Sequence, residues 1–110
     1  MSMKLTTRAQ EALSSAVQMA SAAGNPSVEP LHLLEALLEQ PEGIAISLLA
    51  SAGVQRGEIG AQVRTALVAL PASSGASVAQ PQTSRALMNV ITAAEKSAQA
   101  RGDQYVSTEH

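Results

Sequence analysis

Apolar residues recur along most of this chain at the spacing of a helix, with neighbours three and four positions apart sharing a face. Ala9, Ala12, Leu13, Ala16, Val17 and Ala20 form the first such stripe. It predicts a helix that opens at Thr6 or Thr7. Thr7 with Gln10 three residues on has the form of a capping box, and Thr6 is an equally good cap. Gly24 closes the helix, because glycine takes the left-handed conformation past a last turn without steric cost. After a connector over 25–28, Glu29 stands as a weak cap and Pro30 occupies the first turn, where a missing N–H costs nothing. Leu31, Leu34, Leu37 and Leu38 are the expected buried face of a second helix, which residues 41–43 stop. A short third helix over 44–52 ends at Gly53. A fourth spans about 56–70, with Ile59, Val63, Ala66, Leu67 and Leu70 inward. A fifth spans about 84–101, with Leu87, Val90, Ile91, Ala94 and Ala98 as its stripe and Gly102 closing it. The intervening stretch PASSGASVAQPQT, 71–83, holds two prolines, three serines and no charge; that composition reads as a linker. No run of β-branched and aromatic residues is bounded by hairpin turns. The expected fold class is all-α.

A shift of 78 residues lays 6–32 over 84–110. Ala16, Ala20, Ala22, Gly24, Val28 and His32 then fall on Ala94, Ala98, Ala100, Gly102, Val106 and His110. The alanines carry little weight in an alanine-rich chain. The ordered pattern carries more: a Thr or Ser cap, Leu13 over Ile91, a closing glycine, Asn25 over Asp103, then Val and His. Recurrence at a fixed offset is how duplicated helical units show themselves. In the first copy Leu33, Leu34, Leu37 and Leu38 follow the histidine, so 84–110 reads as the opening of a second copy that is cut inside a structural unit.

Composition supports close-packed helices. Hydrophobic residues make up 45% of the 110, yet Tyr105 is the single aromatic. The core must come from Ala, Leu, Val, Ile and Met, and Ala lets helix axes approach closely. Seven basic residues against nine acidic ones give a net charge of −2 with no basic stripe, which argues against a nucleic-acid surface. Cysteine is absent, so thiolate catalysis and Cys-based zinc sites are excluded, and a reducing cytoplasm is the expected setting. The N-terminus lacks the apolar core of a signal peptide, and no apolar stretch has membrane-spanning length.

Four stretches taken together, LTTRAQEAL at 5–13, VEPLHLLEALLEQ at 28–40, LLASAGV at 48–54 and RGDQYVSTEH at 101–110, resemble the N-terminal domain of Clp ATPases, in the form found in its protein-disaggregating members. The resemblance runs in order from Leu5 to His110. It implies a pseudo-twofold domain of two four-helix repeats: a first repeat over 1–70, a linker over 71–83, and at 84–110 the start of a second repeat that breaks off after its second helix begins. It further implies a mobile module tethered to AAA+ modules in a homohexamer. Such a machine uses ATP and magnesium to thread aggregated or unfolded polypeptide through a pore, with the DnaK/DnaJ/GrpE system as partner, and the N-terminal module helps capture the substrate. The same module on an unfoldase that feeds a protease is the alternative, and a free-standing adaptor is a third reading. No phosphate-cradling GxxxxGK[ST] motif occurs, so this stretch of chain is expected neither to bind nor to hydrolyse ATP.

Carried over by the resemblance, Thr6, Asp103 and Glu109 are candidate residues for chaperone function. Each also has a structural account. Thr6 caps a helix; Asp103 sits in a turn that favours Asp; Glu109 meets the positive end of a starting helix. Val90 and Ile91, with Met19 and Met88, are candidates to line a shallow apolar groove for unfolded segments, since Met adapts to varied partners. His32 and His110 are expected to bond a cap or nearby backbone and not a metal, there being no third ligand at metal spacing. No arrangement of nucleophile and base supports catalysis.

Overall fold

The computed structural model describes residues 3–72 and 80–110, so the centre of the predicted linker lies outside the described residues. The described residues form β1 (Lys4–Leu5), α1 (Thr7–Ala22), β2 (Ser27–Val28), α2 (Pro30–Glu39), α3 (Ile44–Ser51), α4 (Arg56–Val68), β3 (Gln82–Thr83), α5 (Arg85–Ala100) and β4 (Tyr105–Val106). The five helices fall where the apolar spacing places them.

Helix ends follow from side-chain chemistry. The Thr6 hydroxyl accepts from the Ala9 N–H at 3.3 Å, so Thr6 and not Thr7 is the cap of α1. Gln10 does not close a capping box; its side-chain amide donates to the Leu5 carbonyl instead. At α2, Pro30 sits in the first turn and Glu29 precedes it in extended conformation. Gly24 and Gly102 stand just beyond α1 and α5 at φ of 73° and 76°. An L side chain is strained at such angles, which is why both copies carry glycine there.

The two-residue strands were not legible in the sequence, and they organise the molecule. Each pairs in parallel across the two halves: Lys4 with Tyr105 and Leu5 with Val106, then Ser27 with Gln82 and Val28 with Thr83. Moving β1 forward and β4 back by 78 residues turns the first set into the second. The flanking bonds match as well: the Thr6 N–H donates to the Val106 carbonyl at 2.9 Å, and the Ser84 N–H to the Val28 carbonyl at 3.1 Å. Gln82 and Thr83, at the end of the stretch read as linker, are therefore held in place by the first half. The Ser84 hydroxyl accepts from the Leu87 N–H at 3.0 Å, the counterpart of the Thr6 cap. The duplicated unit is a pseudo-twofold pair in space.

The core gathers where the halves meet. Ala16 and Ala20 of α1, Val28 of β2 and Leu87 of α5 are buried together, with Val17, Leu33 and Ile91 packed against them. Small alanines on α1 let the neighbouring backbones come close, and Leu87 fills the space so left. The buried face of α2 differs from the leucine stripe. His32, Glu35, Ala36 and Leu38 are its buried positions, while Leu31, Leu34 and Leu37 are half-buried. The reason is that α2 packs on both α1 and α4; with neighbours on two sides, its most enclosed line is not its most apolar one. On α4, Val63 and Gly60 are buried. None of the residues of α3 is buried, despite four large aliphatic side chains, and Ile44 and Leu48 face solvent.

Candidate functional site

Between α1, α2, α5 and the segment after β4 lies an apolar cleft of about 280 Å³. Leu5, Ala9, Ala12 and Leu13 line it from β1 and α1, Leu33 and Leu37 from α2, and Val90, Ile91 and Ala94 from α5; residues 106–110 complete the lining. Its origin is in the repeat. Under the 78-residue shift, Ala16, Val28 and Leu87 of the core correspond to Ala94, Val106 and Ala9 of the cleft. The core side holds a leucine where the cleft side holds an alanine. The smaller side chain leaves room there for other side chains to enter. Leu33 of α2 packs against the core and lines the cleft as well.

The structure brings the five candidate residues to this end of the molecule and sorts them. Val90 and Ile91 line the cleft; Val90 is 42% exposed and Ile91 half-buried against the core. Glu109 is part of the lining. Its carboxylate accepts the Ser107 hydroxyl proton, and that bond holds it below the usual carboxylate range. Thr6 and Asp103 do not line the cleft. Thr6 anchors β1 to β4 and caps α1. Asp103 has its carboxylate 2.7 Å from Nε2 of His110, which does line the cleft. Tyr105, between Asp103 and His110 in sequence, is 47% exposed. Met19 does not belong with the group. It lies in a separate depression with His32, Glu35, Leu67 and Val68, because the residues of α1 that face α5 are its alanines. Met88 is 57% exposed and lines none of this cleft.

Both histidines make the local bonds expected of them. His32 accepts the Glu29 N–H at Nδ1, 2.8 Å, and its Nε2 is 2.9 Å from Oδ1 of Asn25. Asn25, itself buried, donates to the Pro71 carbonyl at 2.8 Å. This small network ties the start of α2 to the end of α1 and to the chain leaving α4. The sequence did not reveal it, since a buried Asn is recognisable only once its partners are known. Among the described residues no three acidic or histidine side chains converge on a common point, and no helix is long and apolar enough to cross a membrane.

Burial of His32 pushes its pKa below 6.5, against a smaller opposing pull from the Glu29 charge. The unfolded chain takes up this proton near 6.5, and the folded chain only at lower pH. The stabilisation is complete above about pH 6.5 and is lost as pH falls below it, where the unfolded state binds more protons. Thermal melts between pH 8 and 5 should show Tm declining below about 6.5, and His32→Gln should flatten that part of the decline.

The family model for the Clp repeat (R) N-terminal domain matches residues 4–110. The chain belongs to this family of Clp N-terminal repeat domains. Chaperone protein ClpB of Propionibacterium freudenreichii is 47% identical over 107 residues, and that of Mycobacterium tuberculosis 49% identical over 105, covering 97% and 96% of this chain. The chain spans 12% of the length of each of these relatives. Among solved structures, the Hsp104 N-terminal domain from Candida albicans superposes with a TM-score of 0.83 at 26% identity, covering 94% of this chain and 67% of that one. The complex of the ClpV N-domain with a VipB peptide superposes at 0.75 with 21% identity, covering 94% and 61%; that likeness is one of fold. The curated relatives named here are ClpB chaperones, and they give the protease-feeding alternative no advantage.

Proposed function

We propose that this chain is the substrate-capturing N-terminal module of a ClpB-type, ATP-dependent protein disaggregase of the cytoplasm. The observation that carries the proposal is the apolar cleft with Val90 exposed on its wall. Unfolded and aggregated polypeptides expose Leu, Val and aromatic side chains, and a cleft lined by small aliphatics accepts these without demanding a sequence. A ClpV N-domain has been solved with a peptide bound, which supports peptide capture as a property this fold can host. For a protein of the ClpB type the proposal extends to hydrolysis of ATP with magnesium, threading through a homohexamer of AAA+ modules and cooperation with DnaK/DnaJ/GrpE; capture itself needs no nucleotide.

The test is a titration of the 110-residue chain into fluorescein-labelled carboxymethylated α-lactalbumin, a permanently unfolded probe, read by anisotropy. Saturable binding that changes little with salt is expected, because apolar burial is screened far less than charge pairing. Absence of saturable binding contradicts the proposal. Binding that disappears in a chain extended beyond His110 would assign the cleft to the protein's own next helix.

A further inference from the structure

The two histidines do the same work in the two halves, with one chemical difference. In the first half, Nδ1 of His32 accepts the Glu29 N–H and Nε2 meets the amide oxygen of Asn25. In the second, Nδ1 of His110 accepts the Ser107 N–H at 3.0 Å and Nε2 meets the Asp103 carboxylate at 2.7 Å. A ring nitrogen that accepts an N–H bond carries no proton, so both rings are neutral and carry theirs on Nε2, which donates to the Asx oxygen. Each ring thereby staples the turn after a helix, that of His32 to the start of α2 and that of His110 to residues 107–110. The Asx backbones match too: the Asn25 N–H donates to the Ala20 carbonyl and the Asp103 N–H to the Ala98 carbonyl, both at 2.9 Å. Since the first half performs this task with an amide, the negative charge of Asp103 is not what the staple requires.

The position of the second staple gives it a functional consequence. Residues 107–110 are part of the lining of the apolar cleft. The His110 ring is 1% exposed, while the Asp103 side chain is 45% exposed and lies outside the cleft. The groups facing the ring are Asp103, Ser107 and the neighbouring Glu109, whose carboxylate is engaged by Ser107. We propose that Asp103 is a positioning residue: through His110 it fixes the wall formed by 107–110 and so keeps the cleft shaped for capture, without touching the captured segment. This rests on the reading of the cleft as the capture site. Without the carboxylate, a buried imidazole N–H loses its acceptor, and such orphaned donors are costly; the ring would turn or change tautomer, and the Ser107 N–H would lose its acceptor in turn.

Asp103→Asn and Asp103→Ala in the 110-residue chain separate the possibilities. The chain holds only two histidines, so their imidazole nitrogen shifts report both tautomers directly, and exchange of the Ser107 amide reports the staple. In the parent chain both rings should show the Nε2–H tautomer. Asp103→Asn should keep it and bind the labelled α-lactalbumin probe within about twofold of the parent, a difference of less than 0.5 kcal/mol. Asp103→Ala should disturb His110 alone, speed Ser107 amide exchange by about tenfold, the effect of one lost charge-assisted bond, and weaken probe binding severalfold. Asp103→Asn that keeps the tautomer yet binds as poorly as Asp103→Ala overturns the proposal, because the charge itself would then meet the substrate. An unchanged tautomer and Ser107 exchange in Asp103→Ala overturns it as well. A parent chain that binds no probe contradicts the capture reading instead, and the tautomer measurements then judge the staple alone.

Discussion

Leu87→Ala should unfold this domain more readily than truncation of any other buried core side chain. Leu87 is among the largest buried side chains of the described residues, 2% exposed, and it packs where the halves meet, against alanines and Val28. Its neighbours on α1 are Ala16 and Ala20, which have no longer side chains to swing into the void. Leucine truncations cost about 2–5 kcal/mol, more where the site cannot collapse, so a loss of about 3–4 kcal/mol is expected. For a domain near 100 residues each kcal/mol moves Tm by about 4–8 °C. Calorimetry should therefore show a fall of at least about 12 °C. A fall of less than about 4 °C would mean that the halves do not depend on this contact. The symmetry makes the result specific. Ala9, the counterpart of Leu87, borders the open cleft, so Ala9→Leu fills space there and should leave stability unchanged or raised while occupying room meant for a ligand.

Val90→Asp should abolish capture while leaving the fold intact. Val90 is exposed enough that its apolar atoms add little to the core, and Val and Asp have similar helix propensities, so the stability change should stay within about 0.5 kcal/mol. Seating an apolar segment against the new carboxylate would strip it of water with no partner in return, at a cost of several kcal/mol. Probe affinity should drop by at least about tenfold, the equivalent of 1.4 kcal/mol. Circular dichroism and anisotropy on the same sample distinguish a failed fold from a failed site. Binding equal to the parent would place capture elsewhere, with the exposed Ile44 and Leu48 of α3 the next surface to test.

Much of this architecture is legible in the chain because its helices obey local rules. The caps Thr6 and Ser84, Pro30 in a first turn and the closing Gly24 and Gly102 are each readable from a few neighbouring residues. The repeat is readable too, including the bonds of His32 and His110 to nearby backbone, although their Asx partners emerge only in the structure. What is not legible depends on residues far apart. Two-residue strands are too short to show alternation, so the crossed pairing of β1 with β4 and β2 with β3 leaves no local trace. The register of α2 escapes for a related reason. Leucine count favours one face, but packing against α1 and α4 together encloses His32 and Glu35 instead. Met19 lies in a different depression from the one expected, because its helical position says which stripe it borders and not which helix lies opposite. Resemblance singles out Thr6 and Asp103, yet only the hydrogen bonds reveal that they hold other residues in place.

Where an unfolded segment lands on this domain decides most directly whether the cleft is the capture site. Methyl-resolved NMR of the 110-residue chain, titrated with unlabelled carboxymethylated α-lactalbumin, reads this residue by residue. The expected footprint is Leu5, Leu13, Leu37, Val90, Ile91 and Ala94, with Leu67, Val68, Ile44 and Leu48 unmoved. Shifts confined to α3 and α4, with the methyls of α5 silent at saturation, would contradict it.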